Sequence, residues 1–315
     1  MWQQTIKTGL KVGLSTTWSL GKIIFPVTMI VAFLQHTPIL PWVIELITPF
    51  MGVLGLSGDA AIPLVLGNFL NIYAAIGAIF TMELTVKEVF IIAVMLSFSH
   101  ALIIESSVAV KVGVKLWIAV GVRLALAFIS AVVINLVWKG GEQIAQYGLV
   151  SQQEETVTGL AGITLDALQK AGLGVFQLAV IVIPLMLVIQ VLKDLKWLDT
   201  ISRWMAPLIR KLGIQENTST TLAAGLLFGL TFGAGVMIQA IKEDGVSKKD
   251  ITLAFIFLIT CHAVVEDTLI FIPLGIPILP LLLVRVFMAI LITMVVAALW
   301  NRAELAKRKE ATYEY

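Results

Sequence analysis

Two short stretches set histidine beside carboxylates at the ends of apolar runs: SHALIIES at residues 99–106 and CHAVVEDT at 261–268. Each sets an imidazole five residues before a carboxylate, His100 with Glu105 and His262 with Asp267. The second adds Glu266, four residues after its histidine. Histidine titrates near neutrality, and a carboxylate takes a proton or ligates a cation. Such a pair can relay a proton, or hold a coupling ion beside a polar solute.

A charge at the centre of a bilayer costs about 2.5–3.5 kcal/mol on insertion scales, and it persists where it is paired or faces a wet cavity. Arg123 and Arg285 also lie inside apolar segments and are read as structural charge pairs for these acids. His262 and Glu266, at i and i+4, would share one helical face. Glu105 and Asp267 reach their own histidine's face only if the helix is broken between them. Asn68 and Asn71, in GNFLNIYAAIG, would supply donors and acceptors to a solute.

The reading is therefore of Asn68, Asn71, His100 and His262 as solute-binding residues, and of Glu105, Glu266 and Asp267 as ion- or proton-coupling residues. The plainer reading has the histidines as structural ties, the acids as helix-end residues in water, and the arginines pairing or snorkelling. Asp59 reads as a helix N-cap, and His36 as an inert loop residue. Cys261 is the single cysteine, which excludes an internal disulfide and makes a poor metal site. No metal or other cofactor is expected. No HExxH, hydrolase-like Ser–His–Asp order or cysteine cluster is present, so no catalytic residue and no enzyme is expected.

The elements that must position these groups are membrane helices. The 315 residues are 59% hydrophobic and 13% charged, with mean hydropathy +0.98, whereas soluble domains carry about 25% charged residues. Several runs reach the roughly 20 residues that a helix needs to span a bilayer. Short runs at barrel spacing are absent, which selects an all-α integral membrane protein. A net charge of +2 makes no case for nucleic acid. The N-terminus reads as a retained first helix rather than a cleaved signal.

The two acidic stretches belong to an internal repeat. An offset of 162 maps His100 onto His262, Glu105 onto Asp267, Lys87 onto Lys249, Arg123 onto Arg285 and Trp138 onto Trp300. Upstream, an offset of 158 maps Pro26 onto Pro184, Pro49 onto Pro207, Gly55 onto Gly213 and Gly67 onto Gly225. These are rare residue types in this chain, which chance agreement of apolar residues would not align. The organisation read is a first membrane repeat at 1–138, an extracytoplasmic linker at 139–170, and a second repeat with a cytoplasmic tail at 171–315. Each repeat runs helix, interfacial helix, Gly-rich stretch, His-bearing broken helix, helix.

The Gly-rich stretches, 58–82 and 218–241, decide the topology. If they cross, the 20 Lys and Arg outside the spans divide 13 inside to 7 outside. If they are re-entrant hairpins, the division is 17 to 3, with only Lys87, Lys139 and Lys170 outside. The positive-inside rule selects the hairpins. Three crossings per repeat then invert the second repeat relative to the first, the design of secondary transporters, whose sites lie near the midplane. Both termini are cytoplasmic, and the acidic linker with Glu142, Glu154 and Glu155 is outside. The alternative is that the glycines only permit close helix packing.

At GNFLN with SHALIIES, and GLTFGAG with CHAVVEDT, the chain resembles the nucleoside-recognition, or Gate, family of membrane proteins. That family includes bacterial spore maturation proteins, and its element order is similar to the transport core of concentrative nucleoside transporters. The resemblance implies a plasma-membrane, multi-pass secondary transporter for a small polar, nucleoside-like solute coupled to sodium or protons. It also implies a homo-oligomer, a trimer by the transporter likeness. The GQTEAP-like hairpin motif of those transporters is absent, so no nucleoside-contacting residue carries over. The alternative is a non-transporting membrane partner in a sporulation or envelope process. The partners expected are the lipid bilayer and the solute.

Overall fold

The computed structural model describes residues 2–35, 37, 39–147, 159–195, 197–219, 221–227, 229–230 and 246–313. Among these the chain is helical, and the sole β feature is an isolated bridge between Thr85 and Ile144. His36, the acidic pair Glu154 and Glu155, and the second half of the 218–241 stretch, with Gly233 and Gly235, lie outside the described residues.

The first repeat comprises α1 (Trp2–Gln35), α2 (Ile39–Val53), α3 (Ala61–Phe69), α4 (Ile72–Ile79), α5 (Val86–Ser99), α6 (Leu102–Lys111) and α7 (Leu116–Val137). The second has α8 (Gly159–Asp194), α9 (Trp197–Lys211), helical residues 221–227, α10 (Lys248–Thr260), α11 (Glu266–Leu269) and α12 (Ile278–Tyr313). Helix α8 starts at Gly159, so the last residues of the expected linker are helical. Three described stretches are long and apolar enough to cross a membrane: Val86–Lys111, Leu116–Val137 and Ile278–Glu304.

The chain divides into two compact units, each drawing on both repeats rather than following the repeat boundaries. One is Met1–Ile103, Leu124–Leu195 and Val265–Leu282; the other is Ile104–Arg123, Lys196–Val264 and Leu283–Tyr315. In the first, α1 packs along α8 with glycines at the seam. A Cβ on Gly9 would fall 3.0 Å from Leu187 Cα, one on Gly13 3.0 Å from Ile183 Cα, and one on Gly21 3.3 Å from Val175. Partners descend as the glycines ascend, so α1 and α8, whose prolines Pro26 and Pro184 correspond, run antiparallel. Small residues let backbones approach where no hydrophobic effect drives helices together.

The 58–82 stretch does not continue as one helix. Helix α3 ends at Phe69, and Asn71 is extended, with φ −167°. Its side-chain oxygen accepts the Ala74 amide at 3.0 Å to start α4. Nine and eight residues rise only about 12–14 Å at 1.5 Å each, too little to cross. The two helices pack on each other, with a Cβ on Gly67 reaching 3.1 Å from Ala75 Cβ. Asp59 is not the N-cap expected. It lies within a short 3-10 turn, Gly58–Ala60, preceded by Ser57.

The repeat extends to individual hydrogen bonds, each found within one unit. Thr85 caps α5 and Ser247 caps α10, each accepting from the amide of the acid three residues on, Glu88 or Asp250. Those acids reach the equivalent amides, Ser57 N–H at 2.8 Å and Gln215 N–H at 3.1 Å. A Cβ on Gly67 would lie 2.4 Å from Leu96, and one on Gly225 2.4 Å from Leu258. Overpacking of this kind costs about 1–3 kcal/mol. Gly67→Ala and Gly225→Ala should therefore lower thermal stability by similar amounts. A silent substitution at either would mean that the close packing is not formed.

Candidate functional site

Both His-bearing segments break at the histidine. Helix α5 ends at Ser99, and His100 leaves the helical conformation at ψ 157°. Ala101 then takes φ +46°, and its counterpart Ala263 φ +40°; these are the two non-glycine positive-φ residues among those described. L-residues avoid this region, so each break holds about 1–3 kcal/mol of strain that surrounding contacts must offset. The contacts are visible. The Ala101 amide donates to Gly67 O at 2.8 Å, and the Ala263 amide to Gly225 O at 3.1 Å. The glycine that admits Leu96 or Leu258 thus also offers the carbonyl that anchors the break.

In each segment the imidazole folds back on its own helix. His100 Nδ1 lies 2.7 Å from Leu96 O, and His262 Nδ1 3.0 Å from Leu258 O. A carbonyl only accepts, so Nδ1 carries a hydrogen in both rings. Both histidines are buried.

In the second unit the break at His262 meets the first repeat's acid. Glu105, in the first turn of α6, sets Oε1 2.9 Å from His262 Nε2 and Oε2 2.5 Å from an Arg123 nitrogen. Arg123 and Arg285 are fully buried. Arg285 donates to the His262 carbonyl at 2.8 Å, holding the unwound backbone. Arg123 thus faces an acid, as a charge pair would, whereas the Arg285 contact is with backbone rather than with a carboxylate. Spacing alone paired each acid with its own histidine; here Glu105 pairs with the histidine of the other repeat.

This contact fixes a proton count. Nδ1 of His262 faces a carbonyl and Nε2 faces a carboxyl oxygen. One hydrogen must therefore lie between Nε2 and Oε1, as imidazolium with carboxylate or as neutral imidazole with carboxylic acid. With Arg123 the group carries one net positive charge either way. Removing that hydrogen leaves lone pairs facing each other at 2.9 Å in a buried site, where an unmet polar contact is costly. Ser106, beside Glu105, is 2% exposed, and its hydroxyl has no hydrogen-bond partner.

In the first unit Glu266 does not share a helical face with His262, because α10 ends at Thr260 and the helix restarts only at Glu266. Instead Glu266 Oε1 accepts the Tyr73 hydroxyl at 2.7 Å, joining α4 of the first repeat to α11 of the second. Tyr73 was not anticipated. The available signal was that it is the sole tyrosine inside an apolar run, in the hairpin beside Asn68 and Asn71. Asn71 spends its oxygen on the α4 cap. Asn68 donates to Leu64 O at 2.7 Å, and its Oδ1 is buried without a partner. Asp267 is buried at the start of α11.

A hydrogen bond to a charged group is worth about 1.5–3 kcal/mol. Tyr73→Phe should lose an amount in that range, and none when Glu266 is already Ala. A thermal double-mutant cycle showing no coupling would discard the contact.

The sequence pattern of the Gate family, described as nucleoside recognition, matches residues 17–116 and 175–293, two segments whose starts are 158 apart, the upstream repeat offset. The chain is also 60% identical over 294 residues, 93% of its length and 94% of the relative's, to an uncharacterized membrane protein, YvoD, of Bacillus subtilis (strain 168). Two repeats sharing the same capped helix, strained break and buried histidine thus fall within the matched segments, and the chain belongs to the Gate, or nucleoside-recognition, family of membrane proteins.

Proposed function

We propose that this protein is a proton-coupled secondary transporter for a small polar, nucleoside-like solute, and not an enzyme. It is built from two inverted repeats in the plasma membrane, with both termini cytoplasmic. The observation that carries the reading is the Glu105–His262 contact: one exchangeable proton joins helix α6 of one repeat to the broken segment of the other. Loss of that proton turns an attraction into a repulsion, so protonation and the separation of these segments are linked. Transport needs such a link between ion binding and a two-state element.

A proton is favoured over sodium at Glu105 because both carboxyl oxygens already face nitrogen groups, Arg123 and His262. The antiparallel α1 and α8 and the lysine and arginine distribution support the inverted arrangement. The partnerless Asn68 Oδ1 suits a polar guest. The family's description supports a nucleoside-like solute.

The test is uptake of radiolabelled nucleosides and nucleobases by liposomes carrying the purified protein. An imposed acid-outside gradient should drive accumulation, and a sodium gradient at equal pH should not. If neither gradient moves any member of the panel, the alternative gains, a non-transporting membrane partner in a sporulation or envelope process.

A further inference from the structure

The second unit ends in a dense ring of exposed positive charge. The turns at 112–114 and 212–214 close one core, in which Val112 and Val114 pack with Ile209, Leu212 and Ile214. Exposed Lys111 and Lys115 flank the first turn, and exposed Arg210 and Lys211 precede the second. The same end gathers the start of α10, because Gln215 N–H donates to Asp250 Oδ1 at 3.1 Å. Exposed Lys248 therefore sits there too. Two acids of this unit are engaged locally: Asp250 is buried as the α10 cap acceptor, and Glu304 accepts the Trp300 indole at 2.8 Å; Glu216 also lies at this end.

Apolar surface adjoins this charge. Helix α9 carries Trp204, 69% exposed, on the same element as Arg210 and Lys211, while Trp117, 71% exposed, follows Lys115 at the start of α7, which is long and apolar enough to cross a membrane. Tryptophan beside lysine and arginine at the end of an apolar helix is the composition of a membrane–water interface.

The equivalent end of the first unit has the opposite character. Around Ser57, Glu88 and Trp138 it carries Asp59, Glu83, Glu88 and Glu142 against Lys87 and Lys139, and Lys87 donates to Asn135 O at 3.2 Å. Equivalent folds with opposite charge indicate that the charge serves the surroundings, not the fold.

We propose that this basic end of the second unit is a docking surface for anionic phospholipid headgroups of the cytoplasmic leaflet, with Lys111, Lys115, Arg210 and Lys211 meeting the phosphates and Trp204 seated at the acyl boundary. Clusters of four or more Lys and Arg beside a membrane helix attract anionic lipid, and the attraction is screened beyond the Debye length.

The test is native mass spectrometry of the full-length protein released from nanodiscs of equal phosphatidylglycerol and phosphatidylcholine. The parent protein should retain phosphatidylglycerol at least tenfold over phosphatidylcholine. The variant K111Q/K115Q/R210Q/K211Q should retain the two equally, while K139Q, at the acidic end, keeps the preference. If the fourfold variant fails to fold, the charge-conserving K111R/K115R/R210K/K211K variant must keep the preference, and 1 M salt during reconstitution must remove it from the parent. Equal retention by the parent at low salt, or an undiminished preference in the fourfold variant or at high salt, overturns the proposal.

Discussion

Arg123→Met should be destabilised by about 3–5 kcal/mol, the usual loss when one partner of a buried ion pair is removed. Arg123 is fully buried, so no water replaces its contact with Glu105, whose carboxylate then loses its guanidinium partner while still facing His262. Adding Glu105→Gln should return most of that loss. The glutamine amide offers either an oxygen or an NH₂ group, so it satisfies a neutral His262 through Nε2 with no proton to share. A thermal or denaturant double-mutant cycle measures the coupling directly. Purely additive losses would mean that the two side chains do not form the pair described.

Glu105→Gln should also remove energy coupling. One pH unit corresponds to about 1.4 kcal/mol, which sustains a tenfold solute gradient at one proton per solute. Proteoliposomes carrying the parent protein, with the outside one unit more acid, should concentrate the solute about tenfold. Those carrying Glu105→Gln should only equilibrate it, because the amide holds no titratable proton and nothing then ties the His262 contact to pH. His262→Gln should behave likewise. The reading is a plateau, which separates lost coupling from slow turnover: a variant that reaches tenfold late is still coupled. Tenfold accumulation by Glu105→Gln would place the coupling proton elsewhere.

The legible and illegible parts of the site differ in kind. The spacing of an acid five residues from a histidine would put both on one face only if the helix unwound, but Glu105 faces His262 and not its own histidine. The unwinding is present at Ala101 and Ala263. The interruption between α3 and α4 falls at the asparagines of GNFLN, which the sequence offered as local support for a turn, whereas the hairpin reading itself rested on the lysine and arginine count. The i,i+4 inference for His262 and Glu266 failed because helical spacing applies only where the helix continues, and it stops at Thr260.

The sequence by itself determined the membrane class, the duplication and the identity of the ionisable residues. Composition sets the solvent a chain can live in, and rare residues recurring at two closely similar offsets, 162 and 158, leave little else to mean. Only the tertiary structure decided which acid meets which base. Glu105 pairs with His262 across 157 positions and Tyr73 with Glu266 across 193. Neither separation has a period that a sequence can show. Such partners are chosen by where two broken backbones come to rest, and that depends on glycine-permitted contacts such as Gly67 with Leu96 and Gly225 with Leu258, summed over the whole packed chain.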